Sequence, residues 1–240
     1  MQSLDARVIG AGRAGGAFTA ALTAAGWSVD GPLGRTDDVS GAAAGVDVLL
    51  LAVPDDVVAS LAAEVAPGDA AVMHVAGSLG LDVLAPHDRV ASVHPLVSLA
   101  DAALGAERLR GAWFATAGDE ATTAAVVDAL DGRRVEVADA DRVAYHAAAA
   151  IAANHLVALL GQAERVAAAV GVPLEAYLDL ARGALDNVEA VGPQAALTGP
   201  VARDDWATVA RHVEALPIDE RAAYSVLADA ARRLRDGATA

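Results

Sequence analysis

With 240 residues, 55% of them hydrophobic, the chain is long enough for one large domain or two small ones and for a sizeable core. Its formal charge of −15 argues against nucleic acid and against anionic membrane surfaces as partners, since both need a basic face, but leaves small anionic ligands open. There is no cysteine, which excludes disulfides, thiolate nucleophiles and cysteine metal sites, and all 17 basic residues are arginine, which excludes a Schiff base and a lysine general acid.

Aromatic residues make up only 3% of the chain, so its core must be built from Ala, Val and Leu. The N-terminus shows no basic region ahead of a long apolar one, as a signal peptide would. The apolar stretches read as too short, or too interrupted by Gly, Pro and charge, to cross a bilayer, and a cytoplasmic location is the default expectation.

Residues 6–9 form a short apolar run ending in glycine, and a helical pattern over 13–25 follows, closed by Gly26. Between them lies Gly10-Ala11-Gly12-Arg13-Ala14-Gly15, a G-x-G-x-x-G in its required context, after a strand and opening a helix. The first glycine permits the turn, the second lets backbone approach a pyrophosphate, and the third lets helix pack on strand. The helix N-terminus then offers free N–H groups to phosphate. A second strand is expected at 27–29. Where a binder of NAD carries an acid for the ribose, this chain reads Gly34-Arg35-Thr36, and arginine suits a 2′-phosphate. Asp30 lies too early, and Asp37 and Asp38 open the next segment, so NADP(H) is the expected cofactor.

The run 46–53 is apolar on both faces, as in a buried parallel sheet. Val53 and Pro54 close it near the cofactor, and Asp55-Asp56 put acid at the start of a helix. Further strands are predicted at 70–75, 90–93, 113–116 and 134–137, with a helix over 120–130. His94-Pro95, and more weakly His74 and Ser78, follow strand ends, where ligands gather in open α/β sheets. After about residue 138 the pattern is helical only: 141–170 ending at Gly171, then Pro173 to about 190, then an irregular stretch bracketed by Gly192-Pro193 and Gly199-Pro200, then about 205–216 and 218–235. The expected architecture is α/β: an N-terminal Rossmann dinucleotide-binding domain over 1–139 with a mostly parallel sheet, followed by an all-α substrate and dimerisation domain over 140–240. The six histidines show no metal-binding spacing, so no metal is expected.

These segments resemble a Rossmann-like oxidoreductase family within the 6-phosphogluconate dehydrogenase-like superfamily, which also holds β-hydroxyacid dehydrogenases, ketopantoate reductases and pyrroline-5-carboxylate reductases. The likeness rests on GAGRAG at 10–15, LLLAVPDD at 49–56, SVHPL at 92–96, YHAAAAIAANHLVALL at 145–160 and DNVEAVGPQAALTGPVAR at 186–203, and His212 in RHVEAL continues it. Two departures stand out. The family's His-Thr-Ser-Gly is here His74-Val75-Ala76-Gly77 followed by Ser78, and its Ala-Arg-Gly-Asp is here Ala202-Arg203-Asp204-Asp205.

The resemblance implies hydride transfer to a small 2-oxo acid, with a ketopantoate-like compound as the candidate substrate. Relatives use a lysine and an asparagine on the first helix of the second domain; here the matching helix carries His146 and Asn154. Eight residues apart on an α-helix, these two are offset by about 80° and look into one cleft. Imidazole ordinarily titrates near neutrality, so His146 is the expected general acid, with Asn154 orienting substrate or nicotinamide amide. His94 and Ser78 are expected to line the substrate pocket, joined from the second family segment by Asn187, Thr198 and Arg203, the last as carboxylate clamp. His155 and His212 read as structural. Imine reduction and a non-catalytic NADP-binding sensor or scaffold are the alternatives. The Ala-rich helices are expected to bury their apolar faces in a homodimer.

Overall fold

The computed structural model describes residues 3–237. Its first element, β1 (Asp5–Ile9), pairs in parallel with β2 (Ser28–Leu33) on one side and β3 (Val48–Leu51) on the other. β4 (Ala71–His74), β5 (Val90–Pro95), β6 (Trp113–Gly118) and β7 (Arg133–Glu136) complete one seven-stranded sheet in the order β2-β1-β3-β4-β5-β6-β7. All neighbours are parallel except β5 and β6. The chain therefore winds outward from β1 in both directions, and the switch of direction lies between β1 and β3.

All four residues of β3 are buried because helices cover both faces of the sheet. Val48 and Leu50 point into a cluster with Phe18, Leu22, Leu109 and Phe114, while Leu49 and Leu51 join Val58, Leu61 and Leu84 on the other side. Each such leucine contributes about 1.5–3 kcal/mol by leaving water. The first cluster is covered by α1 (Arg13–Ala24), α3 (Ala102–Leu109) and α4 (Glu120–Ala129); the second by α2 (Asp55–Glu64) and a short 3₁₀ turn, Leu81–Leu84. With so few aromatics, close packing is reached through small residues: a Cβ on Gly16 would stand 2.9 Å from that of Ala102, and one on Gly105 would stand 2.8 Å from that of Ala17.

Some boundaries differ from the sequence reading. β2 runs on through Gly31-Pro32 to Leu33. It is the edge strand, where proline's missing N–H costs no ladder bond. The expected strand at 46–53 shortens to Val48–Leu51, and α3, a helix not expected from the sequence, is held by its Asp101 cap accepting from the Leu104 N–H at 2.9 Å. The opposite edge, β7, is exposed and carries Arg133, Arg134 and Glu136, charge that discourages edge-to-edge pairing.

The chain divides into two compact units between Ala153 and Asn154. The change from strand to helix comes earlier, after β7. A 3₁₀ turn at Asp139–Asp141 and α5 (Arg142–Ala150) still belong to the first unit. A single π turn, Ile151–His155, leads into α6 (Leu156–Ala168). The expectation that no apolar stretch is long enough to cross a bilayer is corrected here. Asp139–Ala168 is one 30-residue helical run whose most apolar window has a mean hydropathy of 1.5. Neither charge nor proline interrupts it from Val143 to Ala163, so by length and composition it meets that requirement.

The second unit continues with α7 (Leu174–Ala196), α8 (Gly199–Ala202), α9 (Trp206–Ala215) and α10 (Ile218–Arg235). α7 kinks at Gly192, which has φ +79° ahead of Pro193. α10 begins with Asp219 and Glu220 and ends with Arg232, Arg233 and Arg235, each sign set against the helix dipole. Among the described residues of this unit, Val201, Val209 and Ala228 form a small buried cluster, with Tyr224 and Ala231 packed beside them.

Candidate functional site

The carboxyl ends of β1, β3, β4 and β5 lie along one edge of the sheet, and the chemistry-bearing residues of the first unit gather there. At β1 the three glycines do three different things. Gly10 has φ +115° and sits against the Ala52 carbonyl; its N–H donates to Leu33 O at 2.9 Å. Gly15 packs directly on the Gly10 carbonyl, so no side chain fits. Gly12 has ordinary extended backbone, φ −82°, and a Cβ there would meet nothing within 4 Å. Its bare backbone thus faces open space, as close approach of a phosphate requires. Gly12 is also the N-cap of α1, with no side-chain cap and no acid in the first turn. Ala11 and Arg13 are exposed and Ala14 is half-buried. Val53 packs against the second core cluster beside Gly10, and Pro54 caps α2.

Arg35 and Thr36 are exposed in the turn just after β2. The acids around them are committed elsewhere. Asp30 pairs with Arg7 Nε at 2.7 Å, Asp37 accepts from the Gly34 N–H at 2.6 Å, and Asp38 accepts from the Ser40 N–H at 2.9 Å. The loop therefore presents a cation and a hydroxyl where an adenosine ribose is held in this fold.

Two strands further along, Gly77 follows β4 and is wedged between imidazoles. A Cβ on it would stand 2.7 Å from His146 Cδ2 and 2.9 Å from His94 Nε2. The two rings meet edge to face, with centroids 5.6 Å apart. His94 Nδ1 shares a 2.7 Å hydrogen bond with the Tyr145 hydroxyl. Burial, reinforced by His146 and Arg142, lowers the pKa of His94 to about 4, so it is neutral at pH 7. Burial also pushes the Tyr145 phenol up to about 12. With Tyr145 O–H as donor, His94 keeps its ring proton on Nε2, the atom facing Gly77. Ser78 donates to Asp55 at 2.8 Å, tying the turn after β4 to the start of α2.

Deeper on the same edge, His74 is buried and its Nε2 lies 3.2 Å from the Gly80 carbonyl, to which it donates. Burial lowers its pKa, so it too is neutral. The hydroxyls missing at 75 and 76 have a plain explanation: Val75 packs against the first core cluster and Ala76 is buried. Arg142, fully buried at the start of α5, lies 3.5 Å from Asp139 and makes no side-chain hydrogen bond among the described residues.

His94, Ser78 and His146, three of the expected site residues, are brought together by the fold within the first unit. Gly77, Tyr145 and Arg142, which the sequence reading did not single out, lie beside them. Tyr145 adjoins His146 in the YHAAA run, a visible signal. Asn154, Asn187, Thr198 and Arg203 lie in the second unit, all exposed, and make no side-chain hydrogen bond among the described residues. A π turn, Ile151–His155, interrupts the regular α-helical repeat on which the expected His146–Asn154 offset rests. Arg203 does not pair with the acids beside it. Asp204 instead accepts from Arg235 at 2.6 Å and from the Trp206 indole at 2.8 Å. Its φ is +59°, the left-handed backbone that the resemblance fills with glycine. His155 and His212 are both exposed, and His212 shares a 2.7 Å bond with the Tyr224 hydroxyl.

A family model described as a domain of unknown function (DUF2520) matches residues 113–231. Comparison with curated proteins finds no match. Solved structures are similar over nearly the whole chain. Protein TM1727 from Thermotoga maritima is 24% identical with a TM-score of 0.73, over 97% of this chain and 98% of that one. A Bacteroides fragilis protein assigned as an NADP oxidoreductase is 18% identical with a TM-score of 0.78, over 96% and 98%. Pyrroline carboxylate reductase of Plasmodium falciparum, solved with NADP bound, is 12% identical with a TM-score of 0.65, over 98% and 99%. The chain shares their fold: a Rossmann-like sheet domain followed by helices.

Proposed function

We propose that the protein is an NADP(H)-dependent reductase of a small imine, with a 2-oxo acid as the second reading. The observation that carries this is the placement, along one sheet edge, of an open glycine turn and a His94–Tyr145–His146 cluster built around Gly77. Gly10, Gly12 and Gly15 would hold the pyrophosphate against α1, and Arg35 with Thr36 would take the 2′-phosphate. When bound, the nicotinamide supplies hydride. The similar folds of an assigned NADP oxidoreductase and an NADP-bound pyrroline carboxylate reductase support the cofactor and the substrate class without fixing either.

The chain's own groups favour C=N over C=O. Neutral His94 orients the Tyr145 hydroxyl, and Tyr145 keeps its proton across the neutral range. Such a pair binds and orients a substrate atom well but gives up a proton poorly. An iminium arrives already protonated and needs less acid assistance. The 2-oxo acid reading, ketopantoate-like or otherwise, rests on His146, whose half-buried ring beside Gly77 is placed to donate a proton to a developing alkoxide.

The test is NADPH oxidation against cyclic imines and 2-oxo acids, with His146→Ala alongside. Turnover of imines that survives His146→Ala supports the first reading. Turnover of 2-oxo acids lost at least about 100-fold in His146→Ala supports the second. Tight NADPH binding with no turnover of either class would leave a sensor or scaffold and reject both.

A further inference from the structure

Arg142 is 0% exposed, and its Nε, Nη1 and Nη2 all lack a hydrogen-bond partner among the described residues. The nearest acid, Asp139, is half exposed; its Oδ1 is 3.5 Å from Nε while its Oδ2 accepts from the Leu81 N–H at 3.0 Å. A guanidinium stays protonated in proteins, and burying one without a matched anion is costly enough that such sites are rare.

Two further buried polar atoms, Ser92 Oγ and His74 Nδ1, are also without partners among the described residues. Ser92 and His74 are direct register partners on β5 and β4, so their side chains share a face of the sheet, and His94 stands two residues beyond Ser92 on that face. The charge of Arg142 acts on both His74 and His94. The structure thus holds, close to the His94–Tyr145 pair, a buried guanidinium fork and a hydroxyl with unspent hydrogen-bonding capacity.

We propose that Arg142 receives the substrate's carboxylate, so that the reducible bond belongs to a 2-imino or 2-oxo acid and not to a neutral imine or ketone. The proposal deepens the reductase reading and rests on it. The planar fork of arginine matches a carboxylate with two parallel N–H donors. Arg142 thereby takes the role that sequence reasoning gave to Arg203. The neighbouring segment 77–81 is held by the His74–Gly80 and Leu81–Asp139 hydrogen bonds, and these give way as the anion enters.

The experiment is calorimetric titration of oxalate, a planar dicarboxylate, and of neutral oxamide into the full chain, with and without saturating NADP⁺. Wild type is expected to bind oxalate saturably and oxamide not at all. Arg142→Met should weaken oxalate at least tenfold, leave NADP⁺ affinity unchanged and raise the melting temperature, since a buried unmatched charge is gone. Should Arg142→Met fail to fold, Arg142→Lys decides: it keeps the charge but not the fork, and the same direction of loss is expected. Equal oxalate affinity in the folded variants, or no oxalate binding by wild type, overturns the proposal. Failure of wild type to bind NADP⁺ overturns the reductase reading instead, and the oxalate series on cofactor-free protein still decides the role of Arg142.

Discussion

Gly77 and His146 approach so closely that a methyl group on the glycine would stand 2.7 Å from the ring's Cδ2. The same methyl would stand 2.9 Å from His94 Nε2, so neither ring can yield without moving against the other. Gly77 does not have positive φ, so its backbone would accept alanine and the obstacle is steric alone. Gly77→Ala should cost about 1–3 kcal/mol of stability, as overpacking generally does. It should also lower kcat on whichever substrate class is turned over, with NADPH affinity unchanged. Steady-state kinetics beside a thermal melt would check this; unaltered kcat would mean the two imidazoles do not act at the reacting atoms.

The glycine turn offers a cleaner separation of fold from ligand. Gly15→Ala drives a methyl into the Gly10 carbonyl and should destabilise or unfold the first unit. Gly12→Ala meets nothing within 4 Å among the described residues and keeps a permitted backbone, so the melting temperature should barely change. Its effect should fall on NADPH, weakened about tenfold or more, because the methyl occupies the space a phosphate needs. Fluorescence titration with NADPH measures it, and undiminished affinity would show that the dinucleotide does not lie on Gly12.

Much of this arrangement is legible in the residues. A strand apolar on every position, such as Val48–Leu51, can only be covered on both faces, and a glycine turn between strand and helix has one common use. Other features depend on contacts that spacing does not encode. Arg142 looks like any helix-start arginine until its burial is known. Tyr145 reads as a helical neighbour of His146 until β5 brings His94 to its hydroxyl. The π turn Ile151–His155 follows a run of alanines with no glycine or proline to announce it. Asp204, read as the loss of a useful glycine, keeps the glycine's left-handed backbone and holds it with the Arg235 and Trp206 bonds.

The low pKa of His94 makes stability depend on pH in a definite direction. In the unfolded chain histidine titrates near its ordinary value of about 6.5. In the folded state the value is about 4, set by burial, His146 and Arg142, with His74 adding to them and Asp55 opposing. Between those two values the unfolded chain binds more protons, so stability rises with pH. The contribution is full above about pH 6.5 and is lost as pH falls toward 4, at most about 3 kcal/mol and less where solvent reaches the ring. Denaturant melts of wild type and His94→Gln across pH 4.5–7.5 would read it as a difference. Parallel curves for the two proteins would contradict it.

The helices of the second unit leave much apolar surface outside its small core. Val157 and Leu159 on α6, Leu180, Leu185 and Val191 on α7, and Val226 on α10 are all exposed. A solvated monomer seldom tolerates so many on adjacent helices. A bilayer is a poor occupant, because the same helices carry charge: Arg165 bonds Glu220 in the groove between α6 and α10, and Arg182 pairs with Asp179 on α7. A second copy of the chain supplies an apolar face of matching composition, and isologous pairing is the commonest way to close such a surface. Light scattering should therefore give twice the chain mass of 24.0 kDa. Leu180→Glu, which puts charge on an exposed apolar site of α7, should shift the population toward the single chain. A wild-type monomer, or one that sediments with neutral lipid vesicles, would contradict pairing between copies.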